Sequence, residues 1–403
     1  MVGSDCLKIA LASQHFYPDD FRVNEIASAL VSQGHSVTVF TSLPDYKTGR
    51  VPKEYKGFKK RNDEYKGVKI KRCFSVSRRS GVIFRALNYL SFFISSTVKM
   101  YFSKEKFDIS ICYQTSPVLM ANGARALAKR QKIPFLIYSL DLWPECLKAW
   151  NVGENSVLYK IMHKYCINIY NSADLIAVSS KPFIEYHSKV NNVPLNKMLY
   201  LPQHSKDMNL PLKKAKGSDE PVVFAFGGNI GSVQNVECIV RAVNELSKDL
   251  NFRVEIYGNG SELENCKELA EKLNVTDKIM FFSRVDRDTL WKKYENADAF
   301  LLTLKPQGYI SMTVPAKLQE YMSGNRPIIA SADYADRIIN EAGCGVCVQG
   351  DDFKALAEKM KQFIENKEDF SVLAENGRKY FTSNFTLDIF IKRLNEILNK
   401  LVL

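Results

Sequence analysis

Short apolar runs of four to seven residues alternate with longer amphipathic stretches through almost the whole chain, and they do so in two successive series. The runs Leu7–Ser13, Ser36–Thr41, Val68–Arg72, Ile109–Tyr113, Pro134–Leu140, Leu175–Val178 and Met198–Leu201 read as strands. Helical patterns lie between most of them, at Val23–Gln33, Phe84–Phe102, Val118–Gln131, Ser156–Asn171 and Pro182–Val190. The second series has strands at Val222–Phe226, Arg253–Tyr257, Lys278–Phe282, Ala299–Leu302, Pro327–Ala330 and Gly345–Val348. Its helices are Val236–Leu250, Glu262–Leu273, Arg287–Asn296, Pro315–Ser323 and Phe353–Glu365. Short strands that are apolar throughout and separated by helices imply parallel sheets covered on both faces. The expectation is therefore an α/β chain of two doubly wound, Rossmann-like domains facing a cleft.

The two series are separated by the polar stretch Ser205–Glu220. The expected division is a first domain over 1–205, a linker over 206–220, a second domain over 221–385, and a C-terminal helix over 386–403 packing back towards the first domain. At 403 residues, each half is large enough to bury its own core. The amino terminus lacks the basic region and long apolar run of a secretory signal, and no uninterrupted 18-residue apolar run follows. Nine scattered cysteines fit a reducing compartment rather than a disulfide framework. Cys344 and Cys347 form a lone CxxC with no second pair and no nearby histidine, so no metal and no cofactor is expected.

Charge is distributed unevenly. Residues 1–205 hold 29 Lys and Arg against 15 Asp and Glu, a surplus of 14, whereas residues 206–403 hold 27 against 29. Twelve of the basic residues fall between Lys53 and Arg85, including Lys59, Lys60 and Arg61, and the apolar segment Val82–Ile94 follows directly. A basic patch beside an aromatic amphipathic helix suits an anionic membrane surface, with Phe92 and Phe93 as the lipid-facing candidates. The competing reading is a helix that covers a sheet face beside solvated lysines. No nucleic-acid motif accompanies the patch, so nucleic acid is not an expected partner.

The segment Val314–Ser331 places Lys317 and Glu320 three residues apart on a short helix opened by a proline. Lys317 and the helix start can hold a diphosphate, while Glu320 accepts from two ribose hydroxyls. Upstream, the strand Val222–Phe226 runs into Gly227-Gly228-Asn229-Ile230-Gly231, where Gly228, Asn229 and Gly231 would bring backbone amides close to a phosphate. Arg284 falls at another strand end. Neither half has a three-glycine dinucleotide fingerprint, which disfavours a dehydrogenase. In the first half, Asp141 ends an apolar strand and precedes Leu142-Trp143-Pro144-Glu145. A carboxylate there, beside an aromatic able to stack on sugar, suits a base for an acceptor hydroxyl. Asp19 and Asp20 in the first loop are rivals, and His15 shares that loop.

GGNIG, YGNG, the strand–SRV turn and VPAKLQEYMSGNRPIIAS resemble the donor domain of GT-B glycosyltransferases of family 4. SQHFYPDDFRVNEIASALVSQGHSVTVFTSLPDY and YSLDLWPE are similar to the branch that builds bacterial O-antigen and capsule repeat units, fucosaminyltransferases among them. The resemblance covers nearly the full length. It implies a metal-independent enzyme that moves a sugar from a nucleoside-diphosphate donor, with UDP the expected nucleotide, to a polyprenyl-diphosphate-linked saccharide. The expected location is the cytoplasmic face of the cell membrane. The chain departs from the family pattern in three places. Of the Glu-x7-Glu pair only Glu320 is present, with Met312 in the first place, and the usual diphosphate-gripping Arg and Lys fall on Asn229 and Gln234. Arg284 and Lys317 are then the only basic residues at expected donor-side strand ends, and they inherit the role of meeting charge on the departing group. Alternatives are a non-hydrolysing sugar-nucleotide epimerase and a non-catalytic sugar-nucleotide-binding subunit.

Overall fold

The structure, a computed structural model, describes residues 6–402 except 47, 58, 80, 213–219, 307, 309–311 and 367–369. The chain divides into two compact units, 1–203 with 387–403, and 204–386.

In the N-terminal unit, β1 (Lys8–Ala12), α1 (Arg22–Ser32) and β2 (Ser36–Thr41) are followed by a hairpin of β3 (Asn62–Tyr65) and β4 (Val68–Arg72). Then come α2 (Val82–Tyr101), β5 (Ile109–Gln114), α3 (Ala121–Gln131), β6 (Phe135–Ser139), α4 (Val157–Asn171), β7 (Leu175–Val178), α5 (Pro182–Asn191) and β8 (Met198–Tyr200). The sheet runs β3-β4-β2-β1-β5-β6-β7-β8, parallel throughout except for the antiparallel edge strand β3. The strand order changes direction between β1 and β5, the topological switch point. Right-handed crossovers place α1 on one face and the helices after β4 on the other, so α2, α3 and α4 pack side by side. The terminal helix Leu387–Val402 joins the α1 side and buries Phe390, Ile391, Leu394 and Leu398 in the same core as Val23, Ile26 and Leu30.

In the C-terminal unit the order is β9 (Val222–Asn229), α6 (Val236–Glu245), β10 (Phe252–Asn259), α7 (Leu263–Lys272), β11 (Ile279–Phe282), α8 (Arg287–Tyr294) and β12 (Ala299–Thr303). After it follow α9 (Ala316–Met322), β13 (Ile328–Ser331), α10 (Ala335–Ala342), β14 (Gly345–Val348), α11 (Phe353–Glu365) and α12 (Ser371–Asn384), before α13 (Leu387–Val402) returns to the first unit. All six strands are parallel, in the order β11-β10-β9-β12-β13-β14. The switch point lies between β9 and β12, which is where an open parallel sheet binds its ligand. Residues 204–212 belong to this unit: Asp207 pairs with Arg378, and the carbonyls of Leu210 and Pro211 accept from Asn325 and Arg326.

Two expectations need correcting. The glycines after Phe226 do not form a loop; β9 continues through Asn229, paired with β10. Gly258 on β10 explains why that is possible, since a Cβ there would lie 1.9 Å from the carbonyl oxygen of Gly228. Phe92 does not face outward; it is fully buried beneath α2, and Phe93 packs edge-on to Tyr165 with centroids 6.3 Å apart. Among the described residues no helix is long and apolar enough to cross a membrane.

Candidate functional site

At the carboxyl edge of the C-terminal sheet, β9 ends in a bare backbone. A Cβ at Gly227 would meet the Tyr294 hydroxyl at 1.8 Å, and the Gly227 N–H donates to the Tyr321 hydroxyl at 3.0 Å. Tyr321 stacks on Phe300, with centroids 4.4 Å apart, so a wall of aromatics under the strand end holds that backbone in place. Gly228 has φ +135°, and a Cβ added to it would lie 2.7 Å from the Nζ of Lys317. Lys317 reaches there from the first turn of α9, across the switch point.

Its ammonium group sits 3.7 Å from the centroid of the Phe226 ring and is buried with no hydrogen-bond acceptor among the described residues. A desolvated cation with so little to neutralise it loses protons easily. Burial pushes its pKa down to about 7, and Glu320 opposes that only in part. Glu320, one turn on, is fixed by the indole of Trp291 on α8, whose Nε1 donates to Oε1 at 2.8 Å. Its other carboxylate oxygen keeps the capacity to accept from further donors.

Asn229 donates to Gln234 at 2.9 Å, and both lie against Gly231. The two neutral side chains therefore satisfy each other where two cations would have stood. Arg284 follows β11, two strands from β9, and is exposed. The sequence reading missed Lys305. It follows β12 at the same edge, its N–H donates to the Val233 carbonyl at 2.9 Å, and it lines a small cavity with Gly231, Ser232 and Glu262. Its position three residues beyond the expected strand was the signal.

In the N-terminal unit, Asp141 follows β6 and accepts from the Ser116 hydroxyl at 2.8 Å, next to the β1/β5 switch point. Burial raises its pKa, and the Ser116 hydrogen bonds oppose the shift. Trp143 does not offer a stacking surface. Its ring is buried at 2% exposure and its Nε1 donates to the Ser116 hydroxyl at 3.1 Å, so it positions the Ser116–Asp141 pair from beneath. Glu145 is likewise structural, accepting from Tyr159 and Tyr186 at 3.1 and 3.2 Å and pairing with Lys148.

A second cluster gathers after β1 and β2. His15 is buried, stacked on Phe21, and its Nε2 lies 3.4 Å from Arg78. Burial and the Arg78 charge lower its pKa to about 3, so the ring is neutral near pH 7. Asp19 is also buried and accepts from the Tyr46 N–H at 3.3 Å, while Asp20 is exposed. Sequence reasoning missed Asp45. It accepts from the Arg78 N–H at 2.8 Å and from Asn88 at 3.1 Å, while its other oxygen is buried without a partner among the described residues. Burial pushes its pKa up to about 6 even though Arg78 pulls the other way. Only its place at the carboxyl end of β2 could have flagged it. Among the described residues no group of three or more metal-ligating side chains occurs.

Two open parallel sheets, each with its polar groups at the carboxyl edge, make this a GT-B fold. Residues 211–380 match the family described as glycosyl transferases group 1. Among curated relatives, the probable glycosyltransferase WbjE of Pseudomonas aeruginosa is 24% identical over 69% of this chain and 71% of its own. The putative colanic acid biosynthesis glycosyl transferase WcaI of Escherichia coli is 21% identical over 84% of this chain and 87% of its own. Among solved structures, Anabaena HepE in complex with UDP is similar over 98% of this chain and 100% of its own, with a TM-score of 0.69 and 13% identity.

Proposed function

We propose that the protein is a glycosyltransferase of bacterial surface-polysaccharide assembly. It moves a sugar from a UDP-linked donor to a polyprenyl-diphosphate-linked saccharide at the inner face of the cell membrane. The observation that carries the reading is Lys317: a buried ammonium with no acceptor among the described residues, facing the bare backbone of Gly228 at the switch point of a parallel sheet. Such a group fits an anion, and a diphosphate supplies one. Glu320, held by Trp291, accepts from the ribose hydroxyls of the same nucleotide. The family match over 211–380, the polysaccharide relatives and the UDP complex of HepE support the same assignment. The finer assignment, a family 4 enzyme of fucosaminyltransferase type, rests on the resemblance of the sequence motifs alone.

The chemistry follows from these groups. Departure of the sugar leaves charge on the diphosphate, and we assign the role of meeting it to Lys317, Arg284 and Lys305. Asp141, with its raised pKa and its Ser116 hydrogen bond, takes the proton from the acceptor hydroxyl. Asp19 is the rival for that role.

The test incubates the protein with a panel of UDP-, GDP- and dTDP-sugars, with and without a polyprenyl-diphosphate-linked sugar. Nucleoside diphosphate released only when the acceptor is present supports transfer. Appearance of an epimerised sugar nucleotide without acceptor would make the protein an epimerase instead. Binding without turnover would make it a non-catalytic subunit.

A further inference from the structure

On the α2 side of the N-terminal sheet, helices α2, α3 and α4 expose apolar side chains beside cations and contain no Asp or Glu. Helix α2 is apolar on two opposite faces. Phe92, Ser96 and Met100 are buried beneath it, while Ile83, Leu87, Leu90, Ile94, Val98 and Phe102 stand out on the other side. Steps of three or four residues align these six on one stripe, about 30 Å long at ~1.5 Å per residue. Ile83 is 75% exposed, Ile94 59% and Phe102 69%, so no described residue of this unit covers them. The adjoining α4 extends the patch. Phe93 touches Tyr165, and Val157, Leu158 and Ile161 stand exposed one to two turns before it.

The charge pattern fits the same surface. Helices α2, α3 and α4 contain no Asp or Glu, yet carry Arg85, Lys99, Arg125, Lys129, Arg130, Lys160 and Lys164. At the rim, Arg79 lies over Phe84 at 5.5 Å, Arg85 over Trp150 at 5.7 Å and Arg130 over Tyr101 at 5.7 Å. The nearby carboxylates Glu105, Glu145 and Glu154 are paired with lysines. Exposed aliphatic side chains in such a row need a cover. A second copy of this chain would bring its own cations against these, whereas an anionic leaflet neutralises them.

We propose that this carboxylate-free layer is a membrane-docking face. Helix α2 lies flat in the interface with its Ile83–Phe102 stripe at the acyl boundary, and the cations of α3 and α4 meet lipid phosphates. The proposal rests on the reading of a lipid-linked acceptor and gives that acceptor a route. Asn88, on the buried side of α2, hydrogen-bonds both Asp45 and Gln14, so docking α2 brings the loop cluster after β1 and β2 to the membrane surface.

The experiment measures partition of the full chain onto vesicles of phosphatidylcholine alone or mixed with phosphatidylglycerol. Wild type binds the mixed vesicles far more tightly, and binding falls with salt. Leu90→Ser with Ile94→Ser loses roughly a hundredfold, about tenfold for each aliphatic side chain withdrawn from the acyl boundary. Its melting temperature is unchanged because both side chains are exposed. Lys129→Ser with Lys160→Ser loses about fivefold per cation on mixed vesicles only. Unchanged partition in both double variants overturns the proposal. So does concentration-dependent dimerisation of the wild type, abolished by Leu90→Ser with Ile94→Ser, in place of vesicle binding. Transfer to a short-chain, water-soluble diphosphate-linked sugar separates the two readings. The docking variants retain it while losing transfer to an acceptor embedded in vesicles. If no variant and no wild type transfers at all yet vesicle binding behaves as described, the transferase reading fails and the docking face stands.

Discussion

Lys317 makes the most exacting test of the donor site, because its charge depends on whether the site is occupied. In the free protein its pKa lies near 7. A diphosphate beside it favours the charged form and returns the pKa towards the ordinary lysine range. At pH 9 only about 1% of the free protein carries the charge, so binding must draw a proton from solution. The Kd for UDP should therefore weaken about tenfold per pH unit above pH 7, roughly a hundredfold by pH 9. Isothermal titration in two buffers of different ionisation enthalpy should find close to one proton taken up per UDP at pH 8.5. Lys317→Met removes both the slope and the charge-assisted bond, worth about 1.5–3 kcal/mol, or roughly 10- to 150-fold in Kd at pH 7.

Stability moves the opposite way. The folded-state pKa lies below the unfolded value of about 10.4, so the charged form disfavours folding. The penalty is present in full below pH 7, relaxes as the pH rises between 7 and 10, and is absent above. At ~1.36 kcal/mol per unit it reaches on the order of 4 kcal/mol at most. Lys317→Met should accordingly melt higher than wild type at pH 6 without ligand and no higher at pH 10. UDP should narrow that gap at pH 6, because it binds the wild type more tightly than the variant. A Kd that is flat from pH 7 to 9, or a slope that survives in Lys317→Met, would refute the reasoning.

Glu320→Gln should raise the Kd for UDP about tenfold or more while leaving the Kd for a 2′,3′-dideoxy analogue unchanged, since only the ribose hydroxyls lose their carboxylate. Equal losses for both nucleotides would place Glu320 elsewhere. Asp45→Asn should raise the melting temperature at pH 8 and not at pH 4: the folded pKa of about 6 exceeds the unfolded value, so stability is lost as the pH rises through that window. Differential scanning calorimetry across pH reads this directly. Asp141→Asn should leave UDP binding intact and reduce transfer roughly 10²- to 10⁴-fold; the same pattern in Asp19→Asn instead would move the base to Asp19. Gly258→Ala should cost about 1–3 kcal/mol in urea denaturation, because the added Cβ meets a carbonyl of the neighbouring strand rather than a side chain that can swing away.

How far the sequence carries can be judged from particular elements. Leu175–Val178 and Phe353–Glu365 are legible to the residue, because each has one clear periodicity and a polar break at both ends, and Val68–Arg72 by its strict apolar–polar alternation. The strand Asn62–Tyr65 is not, because Asn-Asp-Glu-Tyr has no apolar alternation and pairs only as an antiparallel edge. The extension of β9 through Gly227 and Gly228 was hidden for a related reason: glycines read as a turn unless the facing strand is known to carry Gly258. At the site, Lys317 and Glu320 could be named from a three-residue spacing. Trp291, which orients Glu320, lies 29 residues away. Asp45 gains its meaning from Asn88, 43 residues on, and no local pattern encodes such pairings.

The same limit decides the membrane face. Helix α2 is apolar almost all round, so its composition announces an amphipathic helix without saying which side is wet. Phe92 looks the better lipid anchor because it is aromatic, yet it is fully buried, while Ile94, two residues and about 200° further round the helix, is 59% exposed. Packing on α3 makes that choice. It turns Phe92, Ser96 and Met100 towards the sheet and leaves the aliphatic stripe outward, beside helices from which every carboxylate is missing. A helix serving only as scaffold would gain nothing from an outward row of isoleucine and leucine, whereas one that must hold the loops after β1 and β2 against a lipid-linked substrate would.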